Sequence, residues 1–156
     1  MTAPLAPRIL ERAKAQGKTV TCAESCTGGM VAAALTDIAG SSAIFERGFV
    51  TYSNTAKQDM LGVLPDTLQA FGAVSEEVAR EMANGALHAA KADIAVAVSG
   101  IAGPGGSEHK PEGRVCFALA TAQGTHTETI EFGALGRAQV RNKAKDHALS
   151  LILRAL

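Results

Sequence analysis

The chain has 156 residues, with 15 Lys and Arg balanced by 15 Asp and Glu, about one domain's worth of sequence and enough to bury a core without staples. A main role in binding nucleic acid is disfavoured, since that needs a basic excess or stripe, whereas one anionic ligand needs only one or two well-placed Arg. With no Trp and 1 Tyr, the core must be filled mostly by Ala, Val, Leu and Ile.

In chain order, Pro7 to Gln16 reads as a helix: Ile9, Leu10 and Ala13 form an apolar stripe and Gly17 suits the position after its end. Thr19 to Cys22 reads as a short buried strand, followed at once by the turn Glu24-Ser25-Cys26-Thr27-Gly28-Gly29. Met30 to Ile38 resumes a helical pattern that stops near Gly40. Ala43 to Tyr52, rich in Ile, Phe, Val, Thr and Tyr, predicts a strand. Ser53 or Asn54 can cap the next helix, which runs to Leu61 and ends at Gly62.

Ser75-Glu76-Glu77 opens a helix with Val78, Met82, Ala86 and Ala90 on one face. Asp93 to Ser99 is apolar on both faces, the pattern of a strand covered on both sides. A Gly-rich loop follows from Gly100 to Gly106 and on to Gly113. Val115–Ala122 and Thr125–Phe132 predict a hairpin around Gln123-Gly124, and Gly136 to Leu156 a last helix buried through Val140, Ala144, Ala148 and Leu151. The fold expected is a single three-layer α/β/α domain over residues 1–156, with a mixed sheet and helices on both faces. No internal repeat or low-complexity tract interrupts it.

The cysteines, Cys22, Cys26 and Cys116, are few and odd in number, and Met1 to Arg8 carries two prolines and no apolar run of leader length. No stretch reaches the ~18 uninterrupted apolar residues of a membrane span. A reduced cytoplasm is the expected compartment. No Cys or His set completes a metal site, and no cofactor is expected.

Ligands of such sheets collect beyond the carboxyl ends of strands, and three segments qualify. In the turn after the first strand, Ser25 lies on a tight strand-to-helix bend beside Gly28 and Gly29. Amides at a helix start attract anions, although Ser25 or Thr27 serving only as a cap explains the same residues. In the second segment, Tyr52-Ser53-Asn54-Thr55-Ala56-Lys57, Lys57 falls in the first helical turn, where the dipole opposes a cation. That field, with burial, would suit a lysine base, and a lysine reaching out to water is the plain alternative. Tyr52 fits core packing or proton relay equally. The third segment, Ser99-Gly100-Ile101-Ala102-Gly103-Pro104-Gly105-Gly106, can bare amides for a carboxylate, a phosphate or a developing oxyanion, or be a flexible connection. Arg137 and Arg141 share a helix face, which Lys145 extends. They could clamp a phosphate or form a solvated basic row beside Asp146. His88, His109, His126 and His147 are scattered and read as surface or rim residues.

Taken together and in this order, these segments, with Lys110-Pro111, Gly113 and Phe132 through Arg137 to Arg141, resemble the CinA C-terminal domain family, the nicotinamide-nucleotide amidases. The resemblance runs from about Pro7 to Leu153. It implies conversion of nicotinamide mononucleotide to nicotinic acid mononucleotide and ammonia, in pyridine nucleotide salvage, by an assembly of at least two copies. It assigns the nucleophile to Ser25 and matches the family's Tyr and Lys to Tyr52 and Lys57. On that reading Lys57 takes the Ser25 proton, directly or through Tyr52, and amides around Gly28 and Gly100 to Gly106 hold the oxyanion. Thr27, Gly28, Gly29, Asn54, Gly100, Ile101, Ala102, Gly103, Arg137 and Arg141 are then expected around the substrate, with Arg141 foremost at its phosphate. Glu112 and Arg114 depart from the common pattern, which has an apolar residue and a Thr there. Cys26 is a rival nucleophile, since a thiol at a helix start is easily ionised. Two other functions fit the residues: a nucleotide-binding regulatory or competence-associated module without catalysis, and an amidase for a phosphate-free amide.

Overall fold

The computed structural model describes residues 4–107 and 109–156. Positions 1–3, at the start of the expected domain, and Glu108, in the Gly-rich segment, lie outside the described residues. Among the described residues, six α-helices and five strands follow in the order α1 (Leu5–Gln16), β1 (Val20–Glu24), α2 (Met30–Thr36), β2 (Phe49–Val50), α3 (Asn54–Leu61), α4 (Pro65–Phe71), α5 (Glu76–Ala90), β3 (Ile94–Gly100), β4 (Arg114–Thr121), β5 (Gly124–Glu131) and α6 (Arg137–Arg154). The sheet order is β2-β1-β3-β4-β5. β1 runs parallel to both β2 and β3, and the β3–β4 and β4–β5 pairs are antiparallel.

Side chains alternate across a strand, and the two faces carry different sizes. Cys22, Val96, Val98, Val115 and Phe117 face one core with α1, α2 and α6. Ala23, Ala95, Ala97, Ala118 and Ala120 face the other with α3, α4 and α5. The alanine face lets α5 lie close, and Gly85 extends that closeness to α3. A Cβ at Gly85 would stand 2.0 Å from the Leu61 carbonyl oxygen, so a residue that weakens a helix interior by about 1 kcal/mol is required by packing.

The expected three-layer mixed architecture holds, with four local corrections. The strand expected over Ala43–Tyr52 contracts to Phe49–Val50. Ser41–Ala43 is instead a 3-10 turn, and Phe45 makes only an isolated bridge to Val20. Between Gly62 and Ser75, where the pattern predicts no element, α4 starts on Pro65 with Asp66 in its first turn. In the hairpin Gly124 pairs with Thr121, so Ala122 and Gln123 form the turn. The buried stripe of α6 includes Leu149, Ile152 and Leu153, with Leu151 only half-buried.

Candidate active site

β1 sends its connection to β2 on one side, and the chain then crosses to β3 on the other. The carboxyl ends of β1 and β3 therefore flank a topological switch point, where parallel α/β sheets open a crevice. The loops after β1, β2 and β3 meet there, and they are the three segments singled out above.

Ser25 follows β1 directly, and its amide donates to Val98 O at 2.9 Å, continuing the pairing with β3. The turn after it is closed by Gly28 N to Ser25 O at 3.0 Å and Met30 N to Thr27 O at 3.0 Å. Gly28 and Gly29 have φ of 56° and 108°, a conformation costly for residues with a Cβ. Neither Ser25 nor Thr27 caps α2. That task falls to Glu24, fully buried, whose carboxylate accepts from Gly29 N at 3.2 Å, Val31 N at 2.9 Å and Ala32 N at 3.0 Å. The helix-start amides expected to attract a substrate anion are thus already bonded to a carboxylate of the chain itself.

Ser53 caps α3 through Ala56 N, which puts Lys57 at the end of the first turn. Its side chain turns inward and is only 1% exposed, so the solvated alternative is excluded. Nζ donates to Ser25 Oγ at 3.0 Å and to Thr51 O at 2.8 Å. Thr51 is itself fixed by its amide, which donates to Glu24 O at 2.8 Å. The serine and lysine, 32 positions apart in sequence, are thus placed by neighbouring parallel strands.

A cavity of about 280 Å³ opens beside Ser25, lined by Cys26, Tyr52, the Gly100–Ser107 loop and Arg137. Several of its amides are already committed: Ile101 N to Arg114 O, Gly105 N to Glu112 Oε1 and Ser107 N to Lys110 O. Among the described residues no backbone acceptor takes the amides of Ala102 or Gly103, whereas the Cys26 amide faces its own thiol. Arg137 crosses the mouth, donating to Gly103 O at 2.8 Å and to the Tyr52 hydroxyl at 2.6 Å.

Several expected site residues stand differently. Tyr52 is 58% exposed and bonded to Arg137, so it neither packs in the core nor lies between Ser25 and Lys57. Arg141 lies outside the cavity lining; its Nε and one Nη donate to Cys26 O at 3.0 Å and Thr27 O at 3.3 Å, bracing the Ser25 turn. Asn54 is exposed on the first residue of α3, away from the cavity lining. Thr27 is fully buried with an unpartnered hydroxyl, and Gly28 and Gly29 shape the turn without lining the cavity. Gly28 N, bonded within the turn, is not an available oxyanion donor. The Cys26 thiol is not activated: burial pushes it up to about 11. Burial, with Glu24 nearby, also pushes Cys22 well up. His147 is half-buried, edge-on to Phe117 at 4.5 Å and paired with Glu128. Among the described residues no group of three or more His, Cys, Asp or Glu is placed to hold a metal ion, and no helix is long and apolar enough to cross a membrane.

The residues missed are Glu24 and Thr51; Glu112 stands out in the sequence only as a departure from the common pattern. A carboxylate immediately before a Gly-containing helix start was the available signal for Glu24; Thr51, acting through its carbonyl, left none.

The sequence model of the CinA C-terminal domain matches residues 2–156. The chain is 58% identical over 149 residues to the nicotinamide-nucleotide amidohydrolase PncC of Escherichia coli K12, covering 95% of this chain and 90% of that protein. A CinA-like protein of Shewanella denitrificans is 48% identical over 153 residues, which are 97% of this chain and 36% of that longer protein. The crystal structure of competence/damage inducible protein CihA from Agrobacterium tumefaciens superposes with a TM-score of 0.93 at 49% identity, covering 96% of this chain and 92% of that one.

Proposed function

The chain belongs to the CinA C-terminal domain family, and from that premise we propose that it hydrolyses the carboxamide of nicotinamide mononucleotide, releasing ammonia and nicotinic acid mononucleotide. The relative named nicotinamide-nucleotide amidohydrolase supports the substrate. The observation that carries the chemistry is the 3.0 Å contact of buried Lys57 Nζ with Ser25 Oγ at the edge of a cavity.

The reaction runs in two halves. As a free amine, Lys57 accepts the Ser25 proton while Oγ bonds to the carboxamide carbon. Thr51 O holds Nζ beside Ser25. The carboxamide oxygen, becoming an oxyanion, is met by the amides of Ala102 and Gly103; one such donor is typically worth about 2.7–4 kcal/mol of barrier. Lys57 returns the proton to the departing nitrogen, the C–N bond breaks and ammonia leaves. Water then attacks the Ser25 ester with Lys57 again as base, and the acid is released. Arg137, at the cavity mouth, holds the substrate phosphate; Arg141 keeps the nucleophile turn in place. We assign this activity to one cytoplasmic domain acting in pyridine nucleotide salvage, a compartment that suits three buried free cysteines. The assembly of at least two copies rests on the family resemblance.

The test is ammonia release from nicotinamide mononucleotide by the wild type, Ser25→Ala and Lys57→Ala, each verified as folded by circular dichroism. Both variants are expected to lose at least about 10²-fold in kcat, the scale of acid–base catalysis. No release by folded wild type would refute the substrate assignment. Full activity in Ser25→Ala would remove it as nucleophile.

A further inference from the structure

Glu112 follows Pro111 on the return from the Gly-rich loop to β4, where the resemblance leads one to expect an apolar side chain. Its two carboxylate oxygens reach different segments. Oε1 accepts from Gly105 N at 2.8 Å in the Gly-rich loop, and Oε2 accepts from Gly136 N at 3.0 Å at the N-cap of α6. Gly103 rests directly on this carboxylate, since a Cβ there would lie 2.5 Å from Glu112 Cδ. The next residue after Gly136 is Arg137, whose guanidinium returns to Gly103 O.

The contacts form a closed ring: Glu112 to Gly105, along the chain to Gly103, across to Arg137, back to Gly136 and to Glu112. Arg137 itself is exposed, on the first residue of its helix. Gly136 offers no side chain to cap α6, and the Glu112 carboxylate supplies an acceptor and a favourable charge at the positive end of the helix dipole. An apolar residue at 112 could make neither bond.

We propose that Glu112 is a positioning residue for substrate binding: it straps the Gly-rich loop to the start of α6 and so places Arg137 over the mouth of the Ser25 cavity. The inference rests on the amidase reading and on Arg137 as the cation that meets the substrate phosphate. A strap of this kind acts on KM, because it orders the binding cation and touches neither Ser25 nor Lys57.

The experiment compares the full chain with Glu112→Ala, Glu112→Gln, Arg137→Ala and the double variant Glu112→Ala/Arg137→Ala. Ammonia release from nicotinamide mononucleotide gives KM and kcat. Glu112→Ala should raise KM roughly tenfold, the scale of a lost hydrogen bond to a charged group, with kcat within about twofold. Glu112→Gln, with one carbonyl oxygen left, should fall between. The double variant should match Arg137→Ala alone, since a residue acting through Arg137 has nothing further to lose. Wild-type KM in Glu112→Ala or Arg137→Ala, or additive effects in the double variant, would overturn the proposal. Amide exchange followed by NMR is independent of turnover: Gly105 and Gly136 should exchange about tenfold faster in Glu112→Ala, and unchanged rates would also overturn it. If folded wild type releases no ammonia while those amides do accelerate, the amidase reading fails and the strap survives.

Discussion

Replacing Glu24 by Gln tests whether the turn carrying Ser25 is held by a buried charge. The carboxylate serves three amides: Gly29 and Val31 on Oε1, Ala32 on Oε2. A carboxamide has one acceptor oxygen, so it keeps the Oε1 pair only by aiming its NH2 at the Ala32 N–H. One hydrogen bond to a charged group is lost, about 1.5–3 kcal/mol, and the remaining two lose charge assistance. Relief from burying a charge offsets part of this, leaving a net loss of about 2–3 kcal/mol. At 2–4 °C per kcal/mol for a chain of this size, Tm should fall by roughly 5–10 °C. Ser25 is the next residue, so kcat should fall as well, measured well below the new Tm. Thermal denaturation followed by circular dichroism, paired with ammonia release, reads both. A Glu24→Gln variant melting within about 1 °C of wild type would refute the claim that this carboxylate organises the turn.

Gly85→Ala should run against helix propensity. An added methyl normally gains about 1 kcal/mol in a helix interior, but here it meets Leu61 O at 2.0 Å, so α3 must move. Lys57 sits one turn before Leu61; stability should drop by about 1–3 kcal/mol and kcat by up to about 10²-fold. A more stable variant with full kcat would show that α3 yields without shifting Lys57. The Cys26 thiol, pushed up to about 11 by burial, should react with iodoacetamide at pH 8 about 100-fold more slowly in the native protein than in urea. The sign for stability follows: the unfolded thiol ionises near its ordinary value and the native one does not. Cys26 therefore contributes no pH dependence below about 8, and stability falls as pH rises from about 9 toward 11. Rapid native alkylation of Cys26, located by mass spectrometry, would contradict its burial.

Much of the fold was legible because its main elements are long or strongly patterned. β3, apolar on both faces, and α5 and α6, with clear stripes, match their expected spans within a residue or two. The failures are short elements. Phe49–Val50 is an edge strand whose β-rich neighbours are diverted into a 3-10 turn and an isolated bridge, and the seven-residue α4 carried Pro and Gly punctuation that went unread. In the site, turn chemistry located all three loops. Burial and direction were not legible: nothing local distinguishes an arginine that binds a phosphate from one that braces a turn, as Arg141 does. Nor does the position of Cys26 beside a helix start reveal that burial outweighs its neighbourhood.

The charged residues around the crevice follow from one requirement. Three irregular loops converge at the switch point, and irregular backbone has no ladder partners for its N–H and C=O groups. Here charged side chains stand in for a ladder. Glu24 takes three amides, Glu112 takes two, Arg141 satisfies two carbonyls and Lys57 a third. Such bonds are stronger than neutral ones, which suits loops that must hold a geometry without regular structure. The same bookkeeping leaves the amides of Ala102 and Gly103 over at the cavity wall beside Ser25. In a site built to stabilise a transient oxyanion the donors must be fixed yet unspent in the resting state. Backbone carbonyls take the Ile101 and Ser107 amides and Glu112 takes that of Gly105, so the bonds that hold the loop and the proposed chemistry belong to a single arrangement.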